Sequence, residues 1–96
     1  MSGQLSWAQN ETTLVISGIL DRDSILGFWE KRQSLLSHIE SIDVSNLSHV
    51  DSTGLAMLVR LKGEYQSQQR PLKFVGISDN LNTLIELYGV KAFLIN

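Results

Sequence analysis

The sequence passes from an extended apolar run into a helical one across a short polar junction, Asp51-Ser52-Thr53-Gly54. Before the junction, residues 41–47 (SIDVSNL) alternate apolar and polar side chains, which predicts a short buried strand. After it, apolar residues recur at helical spacing, at Leu55, Leu58, Val59, Leu61 and Tyr65. This junction constrains the fold, because strand–helix–strand units favour parallel neighbouring strands joined by right-handed connections.

The N-terminal half predicts a hairpin followed by a helix. Residues 13–20 (TLVISGIL) alternate in polarity like a strand, and residues 4–7 (QLSW) precede them across the turn-like segment 9–12. A helical stripe then starts at Ile25 and continues to Ile39, with Asp23 or Ser24 as the capping candidate.

The C-terminal part predicts two more strands and one more helix. Residues 72–77 (LKFVGI) are expected to form a strand, and Ser78 or Asp79 to cap a third helix that extends to Tyr88. Gly89 stands where a left-handed residue ends a helix. Residues 90–96 (VKAFLIN) are expected to form a final short strand.

The predicted order is therefore β-β-α-β-α-β-α-β, which defines an α/β fold. A chain of 96 residues is one domain, here taken as residues 1–96. We expect a mixed sheet of four or five strands with helices packed on it. A domain of this size leaves little room for a deep substrate cavity.

Charge and composition exclude several functions. The net charge is −2 and the basic residues are scattered, so the sequence carries no electrostatic signature of nucleic-acid binding. The absence of cysteine excludes disulfides and thiolate metal sites. The N-terminus lacks the pattern of a signal peptide, and no apolar run approaches the roughly 20 residues of a membrane helix. We therefore expect no direct membrane insertion.

Ser52 is the junction residue with the most candidate roles. Its first candidate role is helix capping, which it shares with Asp51. Its second is that of a phosphosite, because a helix N-terminus favours an added anion. A nucleophilic role needs a nearby base, yet the sequence offers only His38 and His49 and no G-x-S-x-G motif.

Metal and cofactor motifs are weak. The carboxylates of four aspartates could supply oxygen ligands, but the segment DRDS (21–24) lacks the glycine and distal glutamate of a calcium loop. No phosphate-binding loop occurs. We predict no metal and no cofactor.

Two adjacent aromatic residues, Phe28 and Trp29, lie on the first predicted helix. They point about 100° apart, so one of them is the better candidate for an exposed partner contact. Tryptophan is enriched among binding hot spots, which favours Trp29.

The segment DVSNLSHVDSTGLAMLV (43–59) resembles the signature of STAS domains, and ISGILDRDS (16–24) resembles another conserved segment of that family. The segments LSW, FWEKR and ELYGV resemble the small STAS subunits of the Mla phospholipid-transport ABC complex. This resemblance implies a mixed sheet with helices mainly on one face, and no catalysis.

The same resemblance implies partners. In the Mla branch, the chain would be a cytoplasmic accessory subunit, peripheral to the inner membrane. It would bind the ATP-binding subunit, and through it the permease, in a complex that maintains outer-membrane lipid asymmetry. The contact would be the loop Asp51–Gly54 and the exposed face of the second helix, with Arg60 and Glu64. In the alternative branch, the chain is an anti-sigma-factor antagonist switched by phosphorylation of Ser52.

Overall fold

The computed structural model describes residues 4–95, and in it four strands form one mixed sheet in the order β1-β2-β3-β4. The first two strands pair antiparallel, and the remaining pairs are parallel. The predicted mixed sheet is thus confirmed, with four strands. Their bounds are Leu5–Asn10 for β1, Thr13–Leu20 for β2, Ser41–Val50 for β3 and Lys73–Val75 for β4.

The helices cover one face of this sheet. Alternate residues of the central strands, such as Leu14, Ile16 and Ile42, are buried on that face. The residues between them, such as Val15 and Asp43, lie on the opposite face and are partly exposed. The prediction of helices mainly on one face is confirmed. They are α1 (Ile25–Leu35), α2 (Ser52–Ser67), α3 (Asp79–Leu87) and α4 (Lys91–Ile95).

The predicted final strand, residues 90–96, is wrong. Residues Lys91–Ile95 form α4, and Asn96 lies outside the described residues. Gly89 has φ +69°, and it ends α3 as predicted. The apolar residues Val90, Phe93 and Leu94 are spaced at helical intervals. Leu94 is buried in the core and the other two pack against it, so the helical period determines the structure of this segment.

The cap predictions are confirmed in part. Ser78 caps α3, because its hydroxyl accepts a hydrogen bond from the backbone N–H of Leu81 at 3.1 Å. Ser24 occupies the N-cap position of α1 but makes no side-chain capping bond. Its hydroxyl instead donates to the carbonyl of Ile19 at 2.8 Å, which ties the start of α1 to the end of β2.

The end of α1 is held by a buried tyrosine of α2. The helix stops at Leu35, so Leu36 and Ile39 reach the core from the turn that follows. The Tyr65 hydroxyl lies 2.8 Å from the Ile39 carbonyl oxygen and 3.1 Å from that of Leu36. The Arg70 guanidinium lies 4.3 Å from the centre of the Tyr65 ring and also donates to the Leu36 carbonyl.

This arrangement predicts a loss of stability at alkaline pH. Burial raises the pKa of the Tyr65 hydroxyl above its ordinary value of 10.0, and the neighbouring Arg70 guanidinium offsets part of this rise. The folded chain therefore retains the proton more firmly than the unfolded chain. The resulting stability is fully present below the unfolded pKa and is lost as the pH rises through the folded one.

Urea midpoints measured across pH values of about 8 to 11 test this prediction. The native chain should lose stability more steeply than Tyr65→Phe, which has no proton to release at this position. Tyr88→Phe, which removes an exposed tyrosine, is the control and should follow the native curve. Equal alkaline slopes for native and Tyr65→Phe would contradict the prediction.

Candidate partner-binding surface

The polar junction is built by a cap from Asp51. Its carboxylate accepts a hydrogen bond from the backbone N–H of Gly54 at 2.8 Å, and its own N–H donates to the Leu20 carbonyl at 3.2 Å. These two bonds fix the start of α2 against the end of β2. Of the two predicted capping candidates, Asp51 is therefore the cap.

Gly54 permits this close approach. A Cβ atom at position 54 would lie far inside van der Waals contact of the Leu20 carbonyl oxygen, and tight against the Leu20 side chain. The first and fourth residues of the junction therefore have structural roles. The two residues between them, Ser52 and Thr53, are exposed and partly exposed respectively, and they are left free for contact with another molecule.

Ser52 is the first residue of α2, and its side chain faces solvent. The free N–H groups of the first turn give this end of the helix a partial positive charge, which favours an anion. His38 comes before the ten residues of β3 and Ser52 comes after them, so about 30 Å of strand separates the two. His38 is therefore not a base for Ser52. His49 is an exposed residue of β3 itself.

An exposed ridge continues from Ser52 along α2. Ser52, Ala56 and Arg60 are spaced four residues apart, so they follow one another on the same face of the helix, and all three are exposed. Ala56 has the smallest of these side chains, so the middle of the ridge projects least from the helix backbone. A partner surface can therefore approach the helix closely at this point.

Two shallow apolar grooves flank the ridge, and Ala56 and Arg60 line both. The first has a volume of about 210 Å³ and lies toward α1. The second has a volume of about 460 Å³ and lies toward the end of α3. The other residues lining the first groove are Ile25, Trp29, Thr53 and Met57. Those lining the second are Ser52, Leu55, Val59, Tyr88 and Val90. We refer to the ridge and its two grooves as the α2 surface.

The adjacent aromatic residues of α1 separate as predicted. Phe28 is fully buried and packs edge-on against the Trp7 ring, with 5.3 Å between the ring centroids. Trp29 is only partly buried and lines the first groove. The guanidinium carbons of Arg32 and Arg60 lie 3.8 Å and 5.4 Å from the centre of the Trp29 ring. Trp29 is thus the more exposed of the two aromatics, and its partner contact stays a prediction.

Glu64 is engaged within the chain. Both of its carboxylate oxygens accept from Arg32, with Nε to Oε1 at 3.0 Å and Nη2 to Oε2 at 3.1 Å. Its side chain is 35% exposed. The structure therefore brings Trp29, Thr53 and Arg60 together at one groove, whereas Glu64 does not line that groove and is bound to Arg32.

Ala56 and Val90 were not predicted to be surface residues, and Tyr88 was predicted only as the end of the third helix. Tyr88 is 53% exposed and neighbours Leu87, which is 76% exposed. The sequence signal that could have indicated this exposed apolar surface is the pair of large apolar side chains just before the helix-ending Gly89. Their position beside α2 depends on how α3 and α4 pack, and the local sequence does not reveal that packing.

Three of the aspartates considered as metal ligands, Asp21, Asp43 and Asp51, serve as local hydrogen-bond acceptors. Asp21 accepts from the backbone N–H of Ser24, and Asp43 accepts from that of Ser45. Among residues 4–95, no group of three or more His, Asp or Glu side chains is arranged to hold a metal ion. Within the same range, no helix has the length and apolar character that crossing a membrane requires.

Comparison with known families identifies the class of this fold. The family model described as "Mlab, STAS domain" matches residues 4–96. The chain therefore belongs to the STAS domain family. The resemblance seen in residues 43–59 is thus confirmed across nearly the whole sequence.

Particular relatives narrow this assignment. The chain is 40% identical to the intermembrane phospholipid transport system binding protein MlaB of Escherichia coli (strain K12), covering 96% of this chain and 95% of that protein. It is also 32% identical to the anti-sigma-B factor antagonist of Staphylococcus aureus (strain NCTC 8325 / PS 47), over 52% of this chain and 46% of that protein. The phosphorylated form of the Bacillus cell fate determinant SpoIIAA shares the fold, with a TM-score of 0.66 at 16% identity, covering 95% of this chain and 88% of SpoIIAA.

Proposed function

We propose that this chain is a non-catalytic accessory subunit of a phospholipid-transport ABC complex, and that it binds the ATP-binding subunit through the α2 surface. The similarity to MlaB, which extends over nearly the full length of both chains, supports the transport role. The observation that carries the binding role is the exposed ridge of α2, with an apolar groove on each side. Aromatic and arginine side chains beside a small apolar centre are typical of protein–protein contacts.

The proposed role is physical rather than chemical. A subunit that binds only the folded, assembled ATPase stabilises that assembly by mass action. If it binds one conformation of the ATPase more tightly, it also shifts the transporter toward that conformation. The chain would thereby act at the cytoplasmic side of the inner membrane, reach the permease through the ATPase, and help to maintain outer-membrane lipid asymmetry.

Ser52→Glu tests this assignment, because the substitution adds a negative charge at the upper end of the ridge. A carboxylate in the first turn of a helix does not destabilise the helix, since it interacts favourably with the helix dipole. We therefore expect a folded variant whose affinity for the ATPase, measured by co-purification and titration, falls by at least about tenfold, or about 1.4 kcal/mol.

The matched control is Asn80→Glu, which places the same charge in the first turn of α3, at an exposed position outside the α2 surface. It should bind like the native chain. A native chain that forms no complex with the ATPase would refute the proposed function. Native-like binding by Ser52→Glu would refute only the position of the contact.

A second candidate function is an anti-sigma-factor antagonist switched by phosphorylation of Ser52. The partial similarity to the S. aureus antagonist supports it, and so does the exposed hydroxyl at the start of α2. Incubation with anti-sigma kinases of the host and ATP, followed by intact-mass measurement, tests this candidate. An unmodified Ser52 would exclude it.

A further inference from the structure

Arg32 contacts Trp29 in two ways and Glu64 in a third. Its guanidinium carbon lies 3.8 Å from the centre of the indole ring, and its Nη1 donates to the Trp29 carbonyl at 2.9 Å. Its Nε and Nη2 donate to the two carboxylate oxygens of Glu64, on the neighbouring helix. One side chain on α1 is thus tied to α2 while it stacks on the tryptophan.

The fork-to-fork pairing of Arg32 with Glu64 fixes the plane of the guanidinium, because two parallel hydrogen bonds permit little rotation. A guanidinium held in this plane presents a fixed surface for the indole ring. The side chains of Arg32 and Glu64 are only 21% and 35% exposed, whereas Trp29 lines the groove beside Ala56. Arg32 therefore contacts the ring directly, while Trp29 also lines the groove, where the Arg60 guanidinium carbon lies 5.4 Å from the ring centre.

We propose that Arg32 and Glu64 are positioning residues for partner binding, which hold the Trp29 ring in the orientation that the partner recognises. This inference rests on the proposed function. Glu64 acts through Arg32 and does not contact the partner. The ordering of Trp29 before binding lowers the entropic cost of complex formation.

A double-mutant cycle between positions 32 and 29 tests this inference on the intact chain with its ATP-binding subunit. Arg32→Gln should weaken binding by about 3- to 30-fold, the range of one stacked cation–π contact. In a Trp29→Ala background the same change should have almost no further effect, because the ring on which it acts is absent. If Trp29→Ala binds too weakly to measure, Trp29→Leu takes its place in the cycle, because leucine keeps apolar bulk at this position without an aromatic ring.

The matched control is Lys91→Gln, which breaks the exposed ion pair with Glu86 at 3.2 Å and lies outside the α2 surface. It should leave binding unchanged. Urea midpoints for all variants separate weak binding from weak folding.

Fluorine NMR of the 5-fluorotryptophan-labelled chain supplies a signature that a merely structural ion pair would not give. In Glu64→Gln, which keeps the Arg32 guanidinium, the Trp29 resonance should shift or broaden, while the Trp7 resonance stays in place. In Arg32→Gln the loss of the stacked charge shifts the Trp29 resonance by itself, so broadening is the diagnostic change there. Glu64→Gln should weaken binding in proportion to this change.

The outcomes separate the two proposals. Additive effects of the substitutions at positions 32 and 29 would overturn the positioning role, and so would weaker binding with an unchanged Trp29 resonance. Native-like binding by Arg32→Gln would overturn it as well, while the proposed function would stand. Failure of the native chain to bind the ATPase would overturn the proposed function itself.

Discussion

Gly54→Ala is expected to destabilise the fold by about 1–3 kcal/mol, the usual cost of forcing extra atoms into a packed site. The added methyl group would meet the Leu20 carbonyl oxygen, and backbone at the end of a central strand cannot move away cheaply. The first turn of α2 would have to shift, which also strains the Asp51 cap. Urea unfolding of both proteins measures the difference.

Gly63→Ala is the matched control, because it makes the same substitution in the same helix. A Cβ atom at position 63 meets nothing within 4 Å. Alanine is the better helix former by about 0.8–1.0 kcal/mol, so this variant should be more stable than the native chain. If the change in the free energy of unfolding has opposite signs in the two variants, the loss of stability at position 54 is due to the close contact with the end of β2. If Gly54→Ala were as stable as Gly63→Ala, the packing explanation would fail.

Much of the fold could be predicted because its signals are local. The alternation in residues 13–20 and the helical spacing after Gly54 each reflect which side of one element faces the core. The prediction for residues 90–96 was wrong because their few apolar residues fit both the period of a strand and that of a helix. Only packing against the rest of the chain selects the helix.

Lys62 also depends on contacts that local sequence does not reveal, although it lies within a correctly predicted helix. It is 6% exposed, and its ammonium group donates to the Leu72 carbonyl at 2.6 Å. A lysine rarely lies inside a protein unless its charge has partners. Here one partner is a carbonyl ten residues further along the chain, which no local pattern indicates.

The candidate surface likewise has one part that local sequence predicts and another that depends on tertiary packing. The junction Asp51–Gly54 could be located from its sequence, because a cap and a close-approach glycine are local chemistry. The pairing of Arg32 with Glu64 spans 32 residues, so it requires the packing of α1 against α2. The contribution of Tyr88 to the second groove likewise depends on where α3 ends.

Ala56→Arg should strongly weaken complex formation while leaving the chain folded. Ala56 is exposed at the middle of the ridge and lines both grooves, so a long charged side chain there would hold a partner away from each of them. Arginine is a good helix former, so the free chain should keep nearly its native stability. We expect affinity for the ATP-binding subunit to fall by more than about 30-fold, a loss of the size seen at binding hot spots.

Gln66→Arg introduces the same side chain at an exposed position of the same helix, outside the α2 surface. Titration of both variants against the ATPase measures their affinities, and urea unfolding of each free chain measures their stabilities. Together these measurements distinguish an effect of the substituted position from an effect of the added charge. Because the two variants carry the same added charge, equal losses would indicate a non-specific electrostatic effect and contradict the assigned contact. A selective loss for Ala56→Arg is the expected result, because the small Ala56 side chain between the two grooves lets a partner approach the backbone of α2 closely.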